Sequence, residues 1–191
     1  MVPPRKGDYL GIPISVAGKK VADQWDLARD EASNDQCASY GPPTIMNQPT
    51  RLHISWQDDS TLRIDTDYGT QTRVFSFGQG PTQGRRTRQG TSVAVWEARR
   101  GRGAMTARYL TVTTANMLPG YLRKNGVPYG ELATLTEYFD IFSEPQGAMI
   151  MVVTAIVTDP VYLEHPYIVA SQFKKEADGS KWDPTACSAR W

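Results

Sequence analysis

From residue 50 onward, apolar side chains recur at every second position, and this period of two limits what the chain can fold into. In TRLHISWQ (50–57), Leu52, Ile54 and Trp56 fall on one face, because successive strand residues point to opposite sides. The turn DDS precedes TLRIDTD (61–67), and YGT precedes QTRVFSF (71–77). A long Gly/Arg loop, 78–90, leads to SVAVWEA (92–98) and ARYLTVTT (107–114). ELATLTEYFDIF (131–142), MIMVVTAIV (149–157) and YIVASQFKK (167–175) complete the set. Eight strand segments broken by turn signals, with one helical segment, predict an all-β fold. The expected architecture is an antiparallel eight-stranded barrel, because closure removes the exposed edges of a meander. Such a barrel has room for packed side chains or one small ligand. A two-sheet β-sandwich is the alternative.

Residues 1–49 lack this alternation and read as an N-terminal arm packed outside a barrel domain of residues 50–191. One helix is expected over about 16–33, with Val21, Trp25 and Ala28 at helical spacing and Ser15 as N-cap. YGPPTIMNQP (40–49) reads as a Pro-rich connector. The chain has 191 residues, enough to bury one core.

Formal charge is +1, which gives no global attraction for nucleic acid or an acidic membrane surface. The basic stretches GRRTRQ (84–89) and EARRGRG (97–103) read as solvated Gly-rich loops, since no stacking aromatics accompany them. The most apolar run, AMIMVVTAIV (148–157), is about half the length a membrane span requires. MVPPRKGDYLG shows no apolar stretch of a signal peptide. Cys37 and Cys187 stand in polar, loop-like contexts near the two ends. In an exported protein they would form a disulfide staple; the alternative is two free thiols.

Glu137 interrupts the apolar face of LATLTEYFDIF formed by Ala133, Leu135, Phe139 and Ile141. Glu97 shares a face with Val93 and Val95. Two carboxylates among apolar side chains, desolvated in one cavity, would suit general acid/base chemistry. The competing expectation is a structural network in which strand arginines such as Arg63 and Arg73 neutralise them. Trp56, Phe75, Trp96, Tyr109 and Phe139 lie on separate strands and are candidates, with Arg63 and Arg73, to line a small-molecule cavity. The long connection LPGYLRKNGVPYGE (118–131) is expected to cover a pocket mouth, with Tyr121 and Tyr129 on the rim. His53 and His165 are the only histidines and have no metal-ligand spacing, so a metal site built on them is a weak alternative. No nucleophile elbow, phosphate loop or dinucleotide-binding fingerprint is present. No cofactor is expected.

RQGTSVAVWE (88–97), LTVTT (110–114), the Gly126–Pro128–Tyr129 segment, Thr136–Glu137–Phe139, and Val157–Asp159–Pro160–Leu163–Pro166 occur in that order. With YGPPTIMNQPTRLHISW (40–56) as an entry segment, this series resembles a large group of uncharacterised, mostly exported bacterial proteins. The resemblance covers roughly residues 40–187. Together with the strand count, it implies a lipocalin-like or calycin-like barrel. It also implies a periplasmic or secreted location, and it brings no activity with it. Where that group usually has Ser after the G-x-P-Y/H piece, this chain has Gly130.

Three functions are therefore expected in order. The first is an exported barrel holding a small apolar or aromatic molecule in its lumen. The second is a metal-independent isomerase, cyclase or hydrolase that uses Glu137 or Glu97. The third is a structural subunit or homo-oligomer whose interface involves the doubly apolar strand 149–157. Neither nucleic acid nor a membrane span enters any of them.

Overall fold

The computed structural model describes residues 4–78, 84–100 and 105–190. Residues 79–83 of the Gly/Arg loop, 101–103 of the second basic stretch and 1–3 of the amino terminus fall outside them. The eight expected strands all form: β1 (Leu52–Asp58), β2 (Thr61–Thr66), β3 (Thr72–Phe77), β4 (Thr91–Arg100), β5 (Met105–Ala115), β8 (Thr134–Ser143), β9 (Met149–Thr158) and β10 (Tyr167–Lys174). They make one sheet in the order β1-β2-β3-β4-β5-β8-β9-β10. Between β5 and β8 in sequence lies a separate hairpin, β6 (Gly120–Arg123) with β7 (Val127–Tyr129).

The closed barrel is not what forms. The sheet curls into a half-barrel, in which β1 pairs with β2 and β10 with β9, while β1 and β10 leave their outer edges unjoined. All neighbours are antiparallel except β3 and β4, which are parallel. The long 78–90 connection makes this arrangement possible, because a parallel neighbour needs a crossover rather than a tight turn. With that single parallel pair, β1 and β10 run in the same direction.

Segments outside the sheet occupy the concave face. Two apolar clusters fill it. At one end, Met117, Leu122, Val127 and Tyr129 of the hairpin region meet Leu135, Ala155 and Val157 of the sheet, with Ile12, Ile14 and Ala22 from the arm. At the other, Tyr40, Ile45 and Met46 pack on Ile64, Phe75, Leu110, Val112, Phe139 and Val153. The arm is thus part of the core and does not lie outside it. Residues 38–46 are buried throughout. Apolar area removed from water by Tyr40, Ile45 and Met46 supplies the driving force that the facing side of the sheet would supply in a closed barrel.

The expected single helix is two short ones, α1 (Val16–Asp23) and α2 (Leu27–Ala32). Ser15 caps α1 as its sequence predicts, accepting a hydrogen bond from Gly18 N. Asp26 accepts from Ala28 N and so starts a second helix where the periodicity alone reads straight through. A third, α3 (Pro42–Ile45), begins with prolines whose missing N–H groups cost nothing at that position.

Cys37 and Cys187 are disulfide-bonded across 150 residues of sequence. The carboxyl-terminal tail is pinned further by Thr185 N donating to Asp67 O (2.9 Å) and Ser188 N donating to Tyr40 Oη (3.0 Å). No helix among the described residues is long and apolar enough to cross a membrane.

Candidate functional site

Alternation sorts the candidate residues between the two faces of the sheet. Glu137 and Arg73 both face inward and are buried. Arg73 on β3 donates Nη1 to Glu137 Oε1 (2.8 Å) and Nη2 to Oε2 (2.5 Å), reaching across the span of β4 and β5 to β8. The guanidinium also lies 4.9 Å from the centroid of the Phe75 ring. Both carboxylate oxygens are engaged, so Glu137 has the geometry of a buried ion pair rather than of a base aimed at open space. Phe75 and Phe139 pack edge to face beside it, with centroids 5.7 Å apart, as core residues.

Glu97 is on the opposite, outer face and is exposed, accepting a hydrogen bond from Tyr109 Oη at 2.5 Å. The two candidate carboxylates therefore do not share a cavity. Arg63 is also on the outer face and chelates Asp65 through Nε and Nη2, both at 2.8 Å. That guanidinium, aided by the Thr72 hydroxyl, holds the Asp65 carboxyl below its ordinary range despite partial burial.

Tyr121 and Tyr129 are not on a rim. The hairpin carrying them is folded into the core, and Tyr129 is wholly buried. A side chain at Gly41 or Gly120 would collide with its hydroxyl, so the two glycines form the cradle into which the phenol fits. Tyr121 Oη donates to the buried Asp30 Oδ1 (3.1 Å). Two donors of the same hairpin are satisfied internally, whereas Asn125 Oδ1 and Tyr129 Oη are buried without a hydrogen-bond partner among the described residues. Lys124 Nζ donates to Tyr40 Oη and Tyr68 Oη (both 2.8 Å), and Asn125 Nδ2 donates to the carbonyls of Arg5 and Asp8. Asp159, in the D-P-x-x-L piece, accepts from the N–H groups of Gly130, Val161 and Tyr162 and so shapes the β9–β10 connection.

Trp56 and Trp96 do stay open to solvent. They face inward beside Phe77, with ring centroids 5.3 and 6.1 Å from it, and about half of each indole is exposed. His53 lies on the outer face of β1, its Nδ1 4.0 Å from Asp65 Oδ2, near the Trp182 ring; His165 is exposed in the β9–β10 connection. Among the described residues no three His, Cys, Asp or Glu side chains group as a metal site.

The substantial cavity lies elsewhere, in the slot where the barrel fails to close. It measures about 1140 Å³ and is lined by Leu52 and Ile54 of β1, Phe173 of β10, Met149 and Met151 of β9 and Ile141 of β8. These side chains all belong to the inward-facing set, as the register from Ile141 to Met151 to Phe173 shows. His53, Arg63, Asp65 and Lys174 line its outer lip, with Lys175 where β10 ends. The tail borders it through Glu176, Asp178, Lys181, Trp182 and Pro184. Of the candidates read from sequence, Arg63 and His53 reach this cleft. The apolar lining was missed because its residues look like ordinary core. Two signals were nonetheless present: a tryptophan, Trp182, in a polar tail, and a strand, 149–157, apolar on both faces.

No protein-family model, no curated protein and no solved structure matches the chain.

Proposed function

We propose that the protein binds a small apolar or aromatic molecule in the cleft between β1 and β10. The observation that carries this reading is the slot itself: about 1140 Å³ bounded by six apolar side chains on the inward faces of four strands. Ile141 is 61% exposed and Ile54 42% exposed although both are on the core face of the sheet. Apolar groups left open in a concavity favour an apolar guest, with a few polar groups at the edge to orient it. The intramolecular disulfide supports export to the periplasm or beyond, where such a bond persists. The enzymatic alternative finds less support, since Glu137 is held by Arg73 and Glu97 lies on the outer face.

The test is titration with N-phenyl-1-naphthylamine, an uncharged aromatic probe that fluoresces on leaving water. Saturable uptake of one probe per chain is expected. Ile141→Glu, at a position already largely exposed, should leave the fold intact and weaken uptake about tenfold or more, the scale of placing a charge against an apolar guest. Absence of saturable uptake, or equal uptake by Ile141→Glu, would sink the reading.

A further inference from the structure

Resting on that reading of the cleft, we infer that its guest is an anionic amphiphile: a single apolar chain carrying a carboxylate or similar negatively charged head. The argument comes from the slot passing through the sheet rather than lying on one side of it. Side chains alternate across β1 and β10, so the inner wall and the outer lip differ in chemistry. Inside are Leu52, Ile54, Ile141, Met151 and Phe173; at the outer lip and the strand end are Lys174 and Lys175. An uncharged guest would use the inner wall alone.

Charge at the lip is not balanced. Arg63 is chelated by Asp65, Arg51 is paired with Asp67, and Lys181 is paired with Glu176. Lys174 and Lys175 have no ion-pair partner among the described residues, and both are exposed. Asp178, the remaining carboxylate of the lining, accepts the Ser180 N–H and keeps its charge, so two unpaired ammonium groups stand against one unpaired carboxylate and the lip has a surplus of one positive charge. Two uncommitted ammonium groups beside an apolar slot complement one negative head attached to one apolar tail. Ammonium groups on flexible stems can follow a head group without imposing a bidentate geometry, so charge rather than head-group shape is selected.

Dodecanoate, dodecyltrimethylammonium and dodecyl maltoside share a tail and differ in head. Each, held below its critical micelle concentration, is used to displace N-phenyl-1-naphthylamine from the full chain. Dodecanoate should displace the probe at a concentration about tenfold or more lower than the other two, and added salt should narrow the gap. Lys174→Gln with Lys175→Gln should bring dodecanoate to within about threefold of the maltoside, each displacement being referred to the double variant's own measured affinity for the probe. Equal displacement by all three amphiphiles overturns the head-group inference and leaves the cleft reading standing. A dodecanoate preference that survives in the double variant also overturns it, because the lysines are then not what recognises the head. A chain that takes up neither the probe nor dodecanoate overturns both readings.

Discussion

Glu137 shows how a sequence misfit becomes a structural requirement. Its position in an apolar stripe was legible from alternation, and so was the inward direction of Arg73, which shares a face with Phe75 and Phe77. That the two meet was not legible, because β3 and β8 are not neighbours and only the curl of the sheet brings them together. A buried ion pair of this kind repays its desolvation only while both partners are present. Glu137→Gln should therefore lower stability by about 3–5 kcal/mol, because it strands a buried guanidinium without its counter-charge. Replacing both partners by Glu137→Leu with Arg73→Met should recover most of that loss, since two apolar groups leave no unpaired charge. Urea unfolding midpoints of the three proteins decide the matter. A Glu137→Gln protein that unfolds at the original midpoint would show that the pair contributes nothing. If the single variant does not fold, the double variant still reports whether the pair can be dispensed with.

At the scale of elements, the strands and the Ser15 cap could be read in the sequence, while the buried hairpin could not. The 118–131 segment, expected to cover a pocket mouth, instead buries Lys124 and Asn125. Their burial depends on two phenols and on two carbonyls from the arm, a compensation between distant parts of the chain that no local period reports. The disulfide ties such distant parts together and holds the tail that borders the cleft. Closing a loop of 150 residues restricts the unfolded chain by about 5 kcal/mol in the chain-entropy model. Cys37→Ser with Cys187→Ser should therefore lower stability by several kcal/mol, on the order of 4–5. It should also weaken probe uptake, because Trp182 and Lys181 line the cleft from a tail that the bond anchors five residues on. Urea unfolding and probe titration on the same preparation separate the two effects. Unchanged uptake in a folded double variant would show that the tail's other contacts, among them Thr185 with Asp67, Ser188 with Tyr40 and Arg190 with Glu31, position it without the bond.

At the scale of the whole molecule the departure from the sequence-based expectation is closure, and the reason is distributed over the chain. Alternation specifies which side of each strand is buried but not what buries it. Here Tyr40, Ile45 and the 117–129 segment cover the concave face, and the sheet stops short of joining β1 to β10. That arrangement buries phenols of the covering segments, and it gives the molecule a predictable alkaline limit. Burial pushes the hydroxyls of Tyr40, Tyr121 and Tyr129 well above the ordinary tyrosine range, with Asp30 adding to the effect at Tyr121. In the unfolded chain these groups lose their protons near pH about 10, whereas in the fold they keep them. Above that pH the folded state binds more protons than the unfolded state, so stability falls as pH rises. Lys124 acts in the opposite sense below this point. Burial lowers its pKa, so the fold gives up that proton first, and stability gains slightly as pH climbs toward about 10.5. One lysine is outweighed by three tyrosines once the unfolded phenols ionise. Alkaline titration followed by phenolate absorbance and circular dichroism should show Tyr40, Tyr121 and Tyr129 ionising only as the fold is lost, with Tyr9, pushed up to about 12 by burial and Asp23, also late among the nine tyrosines. If all nine ionise while the dichroism is still that of the native sheet, the concave face is wetter than its packing implies. The arm would then be a cover that lifts rather than a wall of the core.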